Sequence, residues 1–274
     1  MQPKLSIVIP TIGESKYLAA GIDSASAAAS EDTEVLVFFN RYRGGLDISG
    51  THGQVRVETT SEDLLAHESW NRAVNLSRGE FVFVLSDDDL VSPDFVANLK
   101  LPSLGTTSLA MPAFQFINRA GEITGESPQA SFDVNDPPDI DLEAFIRGKF
   151  FTNLGLFVFP RQLFESLGGF RYLGTDNGYY SDELFNLQLI ANCSDISIRP
   201  DARWSYRLHY RQQSRRNSPE DMKEILSSYI HAACETPSIR REIERIKGGA
   251  DECIESMHEY YLEGEYFRKL KEFI

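Results

Sequence analysis

Uncharged runs of about five residues punctuate the first third of the chain, and polar or amphipathic stretches separate them. Leu5-Ser6-Ile7-Val8-Ile9 is β-rich and ends at Pro10-Thr11. Residues 16–29 are rich in Ala and Ser and suit a helix. A second run, Val35 to Phe39 following Glu34, stops at Asn40, and Gly44-Gly45 then breaks the chain. Residues 54–59 alternate and predict a third short strand. Thr60-Ser61-Glu62-Asp63 has the form of a capping signal. It opens a helix on which Leu64, Leu65, Trp70, Ala73 and Leu76 recur at helical spacing. That helix ends near Gly79, where Phe81-Val82-Phe83-Val84-Leu85 begins. Strand, helix, strand, helix, strand predicts an α/β fold with a mostly parallel central sheet flanked by helices.

Farther along, residues 106–118 predict a strand pair or one bent strand. Residues 121–139 are rich in Ser, Pro, Asp and Asn and predict a long loop. Residues 154–159 suit a strand, and 162–167 a helix closed by Gly168-Gly169. The Gly-containing loop 174–178 precedes an amphipathic helix over 181–191. From about 218 to 274 the pattern is helical and highly charged, with a break at Gly248-Gly249. The expected division is an α/β domain over 1–215 and a helical C-terminal extension over 216–274.

Composition narrows the function classes. The 274 residues hold 42 % hydrophobic and 25 % charged side chains, the balance of a globular protein with a sizeable core. A net charge of −14 argues against general nucleic-acid binding. The first residues are too short an apolar stretch for a signal peptide, and no segment reaches the roughly 20 apolar residues that span a bilayer. Cys193, Cys234 and Cys253 are odd in number and far apart, so neither a zinc site nor a disulfide framework is expected. A cytoplasmic protein fits, with peripheral attachment at the inner membrane face left open.

Asp87-Asp88-Asp89 changes the picture most. Three carboxylates where a buried strand emerges repel one another and raise each other's pKa, and a divalent cation would remove that penalty. Carboxylate oxygens suit Mg²⁺ or Mn²⁺, which share their shell with substrate phosphates. The plainer alternative is a helix cap: Asp89 before a helix near Ser92-Pro93. Ligands of open α/β sheets sit beyond the strands' carboxyl ends. Three such ends are polar here: Thr11 with Gly13-Glu14, Asn40-Arg41, and the Asp triplet. Arg203, Arg207, Arg211 and Arg215 recur every four residues, as diphosphate contacts or as a solvated face.

These residues carry a family resemblance. The opening Leu5 to Thr11 resembles the first strand of the family 2 glycosyltransferases, inverting GT-A-fold enzymes that use nucleotide-diphosphate sugars. Asn71 to Phe81 is similar to that family's "N-x-G-x-x-x-A-x-G-x-Y" segment. Leu85-Ser86-Asp87-Asp88-Asp89 with Pro93 resembles "L-D-x-D-D-x-x-x-P". Leu167-Gly168-Gly169-Phe170 resembles its "GGF" turn, and Ser181-Asp182-Glu183-Leu184 with Leu187-Gln188-Leu189 its "E-D-x-x-L-x-L-R-L". Tyr206-Arg207-Leu208-His209 resembles "Y-R-x-H". Departures are Ser86 for the first Asp, Asn40 for a base-recognising Asp, Trp70 for Arg, and Ser181 for Glu.

The resemblance implies roles. Pro10, Thr11, Gly13, Glu14, Asn40, Asn71 and Arg207 line the nucleotide pocket, with Asp87 near the ribose. Asp88 binds Mg²⁺ or Mn²⁺, with Asp89 and His209 as further candidate ligands. Asp182 is the general base that takes the acceptor hydroxyl's proton; alone it would read as a first-turn acid stabilised by the helix dipole. The implied partners are a nucleotide-diphosphate sugar and a saccharide or lipid-linked acceptor in microbial surface polysaccharide or glycoconjugate synthesis. The C-terminal helices are candidates for homo-oligomer contacts. Two other readings stand beside this one: a non-catalytic sugar-nucleotide binding protein, and a sugar-phosphate nucleotidylyltransferase.

Overall fold

The computed structural model describes residues 2–42, 55–132, 142–147, 153–174, 178–209 and 219–263. In chain order the elements begin with β1 (Leu5–Thr11), α1 (Leu18–Ala28), β2 (Thr33–Phe39), β3 (Val55–Thr59), α2 (Ala66–Leu76) and β4 (Phe81–Val84). Then come β5 (Leu90–Val91), α3 (Phe95–Leu99), β6 (Leu109–Ile117), β7 (Ile123–Glu126), α4 (Leu142–Ile146), β8 (Phe159–Pro160) and α5 (Arg161–Leu167). The chain closes with α6 (Ser181–Asn192), β9 (Ile196–Arg207), α7 (Pro219–Ala233), α8 (Pro237–Arg245) and α9 (Gly249–Glu263).

The main sheet has the order β3-β2-β1-β4-β8. Its first four strands are parallel, and β8 closes the edge antiparallel. The uncharged runs fall at its centre because helices cover both faces there. Alternate side chains divide between two cores, as strand pleating requires. Val8, Leu36, Val82 and Val84 face α2, α5, α6 and the C-terminal helices. Leu5, Ile7, Val35, Val37, Phe81 and Phe83 face α1, α3 and the second sheet. That second sheet has the order β5-β9-β6-β7 and meets the first through an antiparallel bridge between Ala110 and Val158.

Several expectations are corrected here. Residues 123–126, placed in a long loop, pair with β6 as an edge strand; residues 133–139 of that loop lie outside the described residues. Residues 106–118 resolve as one strand, whose register against β9 slips between Pro112 and Ala113. Of the expected strand over 154–159 only Phe159 lies in the main sheet, where it begins the two-residue β8. Thr60 caps no helix: its N–H bonds Phe39 O at 2.9 Å, which keeps it at the end of the β2–β3 pair. The helix starts at Ala66, where Glu68 accepts the Leu65 N–H at 2.9 Å. Nor is α6 amphipathic. Leu184, Phe185, Asn186, Leu187, Gln188 and Leu189 are all buried, because α4, α5, α7 and α8 pack around α6.

The C-terminal helices join the main core through Met222, Leu226, Tyr229, Ile230, Ile239, Ile243 and Met257. A second break at 234–236, ahead of Pro237 in the first turn of α8, divides them. The expected break at Gly248–Gly249 is present, and both glycines have positive φ. Among the described residues no helix is long and apolar enough to cross a membrane.

Gly79 shows how tightly the strand starts are built. A Cβ there would lie 2.5 Å from Ser6 N and 2.7 Å from Phe81 O. Both are backbone atoms of central strands and cannot move aside. Gly79→Ala is therefore expected to destabilise the fold by about 3 kcal/mol, read from the urea midpoint.

Candidate active site

The sheet places the site. β1 lies between β2 and β4, so the strand order reverses there, and a crevice opens beyond the carboxyl ends of β1 and β4. Thr11 ends β1 and the Asp triplet follows β4. Leu85 N–H bonds Val8 O at 2.9 Å, and Asp89 N–H bonds Ser86 O at 3.1 Å, which turns the chain tightly under the three carboxylates. Asp89 does not cap α3, whose flanking residue is Asp94.

The three aspartates divide their roles. Asp87 Oδ2 accepts the Thr11 hydroxyl at 2.5 Å, and the same hydroxyl oxygen accepts Gly13 N–H at 2.8 Å. Gly13 has φ +77°, which glycine adopts without strain, and this lets the loop fold back onto Thr11. Burial first, and Asp88 second, push the Asp87 carboxyl up to about 6. Asp88 Oδ2 meets His209 Nε2 at 2.7 Å. Asp89 is 2 % exposed, and its Oδ1 accepts Arg207 N–H at 2.8 Å. Burial, then the neighbouring Asp88 charge, hold its carboxyl well above the usual range.

Asp89, expected among the metal ligands, thus ties the end of β9 beneath the site. Among the described residues no group of three or more His, Cys, Asp or Glu side chains is placed to hold a metal ion. What remains together is the pair Asp88–His209. Arg207, expected against the nucleotide, is buried; its guanidinium donates to Asp88 O at 2.7 Å and Asn118 O at 3.0 Å. Arg203 pairs with Glu126 at 2.8 Å on the second sheet whereas Arg207 is buried, so these two do not share one surface; Arg211 and Arg215 lie outside the described residues.

The two asparagines expected in the nucleotide pocket both bond backbone groups. Asn40 Nδ2 donates to Leu64 O at 2.8 Å, and its Oδ1 accepts Leu64 N–H at 3.1 Å. Asn71 grips Phe170 in the same two-point way, at 2.8 Å for each bond. Both amides are engaged in fastening loops to the sheet and to α2. Pro10 is buried inside β1, whereas Glu14 is exposed at its mouth.

Tyr17 was not singled out from sequence. Its ring carries the Arg207 guanidinium 4.3 Å from its centroid and the His209 ring at 5.5 Å. It braces both against the loop after β1. An aromatic residue at the start of α1 is the only sequence signal it gives.

Asp182 sits in the first turn of α6, partly buried. Burial raises its carboxyl to about 6, and the N–H groups of Asp182 and Glu183 draw it back in part. Tyr180, just before the helix, has φ +64°, an uncommon backbone for a bulky residue. Its ring packs on Tyr229 of α7 at 5.3 Å. Ser181 Oγ donates to Arg171 O at 2.6 Å, and Gly178 lies against Trp70. The segment leading into Asp182 is thereby fixed by α2, α7 and the Gly168–Arg171 turn.

A family model described as glycosyl transferase family 2 matches residues 6–146. No curated protein matches. Among solved structures, S. aureus TarS 1–349 is similar with a TM-score of 0.64 and 15 % identity, covering 95 % of this chain and 72 % of that one. TarS 1–349 in complex with UDP gives 0.65 and 14 %, covering 99 % and 75 %. Its complex with UDP-GlcNAc gives 0.63 and 16 %, covering 94 % and 73 %. At such identities the likeness speaks for the fold, which is GT-A.

Proposed function

We propose a reaction from one premise: the chain belongs to glycosyl transferase family 2. It moves a sugar from a nucleotide-diphosphate donor to a hydroxyl acceptor with inversion. The observation that carries this reading is the meeting of Thr11–Asp87 and Asp88–His209 at the switch point of the sheet. TarS, of the same fold, is seen with UDP and with UDP-GlcNAc, which supports a nucleotide-sugar donor here.

In this reading Thr11 and Asp87 face the nucleotide, and Asp88 with His209 faces the diphosphate. The Asp88 carboxylate would suit Mn²⁺ or Mg²⁺, and the His209 imidazole nitrogen would suit Mn²⁺ better than Mg²⁺, which prefers oxygen ligands. A cation held there supplies positive charge to the departing diphosphate. Arg207 and Tyr17 hold His209 and Asp88 in place, and Asn40 and Asn71 hold the surrounding loops. Asp182 takes the proton from the attacking hydroxyl. Its carboxyl near 6 is ionised at neutral pH yet more basic than an ordinary carboxylate. That supports an active transferase over a binding protein. Family membership argues against the nucleotidylyltransferase alternative. The acceptor chemistry, a saccharide or lipid-linked saccharide in surface glycoconjugate synthesis, follows from the resemblance noted in the sequence. Residues 1–215 form the catalytic unit, and the helices α7 to α9 of the extension complete its core.

A thermal-shift panel of UDP-, GDP-, dTDP- and CMP-sugars, with and without Mn²⁺, tests the donor. A ligand at a hundredfold excess over its Kd adds about 2.7 kcal/mol, a rise of several degrees in a chain of this size. No rise with any donor in either condition would remove the transferase reading.

A further inference from the structure

We propose that the Asn153 carboxamide binds a hydroxyl of the sugar being transferred. The proposal rests on the transferase reading above and adds a specificity residue to it. Asn153 is 7 % exposed, and neither its Oδ1 nor its Nδ2 has a hydrogen-bond partner. Its backbone, in contrast, is firmly held: its carbonyl accepts Asn186 Nδ2 at 2.9 Å and Leu156 N–H at 3.2 Å. Buried amide atoms are almost always paired, and exceptions call for water or a ligand.

The surroundings indicate which ligand. Asn186 lies one turn beyond Asp182 on α6, and residues four apart share a helix face. Asn153 is therefore anchored on the face that carries the proposed base. Two residues on, a Cβ at Gly155 would lie 3.4 Å from Val84 O, at the end of β4, and 3.3 Å from the Phe83 and Trp204 rings. Trp204 Nε1 is likewise buried without a partner. The segment 153–155 thus bridges the strand that delivers Asp87 and Asp88 and the helix that delivers Asp182. The transferred sugar must lie between those groups, since its anomeric carbon joins diphosphate to acceptor. A sugar hydroxyl can donate to Oδ1 while accepting from Nδ2, which satisfies both atoms at once. Sites that hydrogen-bond a substrate hydroxyl discriminate strongly against ligands lacking it.

The test measures Kd by calorimetry for two probes: the nucleotide sugar that stabilises the wild type most, chosen from UDP-, GDP- and dTDP-hexoses, and its parent nucleoside diphosphate. Asn153→Ala and Asn153→Leu are expected to bind the diphosphate within about twofold of wild type and the nucleotide sugar at least about tenfold more weakly. Asn153→Leu also removes both orphaned atoms, so its urea midpoint should equal or exceed the wild-type value. It keeps the test open if Asn153→Ala folds poorly. An unchanged ratio of the two affinities overturns the assignment. A lower midpoint with an unchanged ratio identifies a buried water instead, and a raised acceptor KM with unchanged donor affinity moves the hydroxyl to the acceptor; both overturn it. If wild type binds no nucleotide sugar, the transferase reading itself falls, a result distinct from an unchanged ratio in a wild type that binds.

Discussion

Asp182→Asn is expected to lower the transfer rate roughly a hundred- to ten-thousand-fold, the range a positioned general base contributes, while nucleotide affinity stays near the wild-type value. The substitution keeps shape and removes the capacity to accept a proton. Asp182 lies on α6, whereas the donor groups lie on the turns after β1 and β4 and at the end of β9, so the two readouts should separate. The same carboxyl sets a pH dependence. With its value raised to about 6, the rate should fall about tenfold per unit as pH drops below 6. Stability runs the other way. The folded value lies above the ordinary 3.8, so the folded state binds this proton more tightly. That contribution is fully present below pH 3.8 and is lost as pH rises through 6. At pH 7 burial of the charge therefore lowers stability, and Asp182→Asn should unfold at or above the wild-type temperature. A slow variant that is also unstable would point to misfolding, and a fully active one would remove Asp182 as base.

The sequence was most legible where burial is independent of tertiary detail. β1, β2 and β4 are covered on both faces, so their apolar runs needed no partner to be recognised. β9 escaped notice because Arg199, Asp201, Arg203 and Arg207 interrupt it, and because its apolar positions are buried only once β6 and α3 are in place. The triplet's location followed from the strand-end rule, but its division of labour did not. Which aspartate faces a ligand depends on where β9 returns, more than a hundred residues later: His209 selects Asp88 and the Arg207 N–H selects Asp89. Asn40 and Asn71 illustrate the same limit. A polar residue at a strand end or on a helix face can serve ligand or backbone, and here the unpaired N–H and C=O groups of Leu64 and Phe170 engage them.

Asp89→Ala is expected to destabilise the protein by about 3 kcal/mol and to lower activity with it, whereas Asp89→Asn should retain most of both. Asp89 is fully enclosed, and it accepts the backbone N–H of the last residue of β9. Alanine leaves that N–H buried without an acceptor and takes a carboxyl away from the buried Arg207, each a change of about 1–3 kcal/mol. It also frees the strand end that carries Arg207 and, two residues on, His209, so the 2.7 Å contact with Asp88 should loosen. Asparagine behaves differently because burial and Asp88 already hold this carboxyl well above its usual range. A neutral side chain of the same shape still offers Oδ1 to the Arg207 N–H. Urea midpoints decide the stability claim, and donor Kd with and without Mn²⁺ decides the functional one. If Asp89 acts as a direct metal ligand, Asp89→Asn should lose the Mn²⁺ dependence of donor binding while keeping wild-type stability. If it acts by anchoring β9, Asp89→Asn should keep that dependence, and only Asp89→Ala should weaken donor binding, in step with its lower urea midpoint.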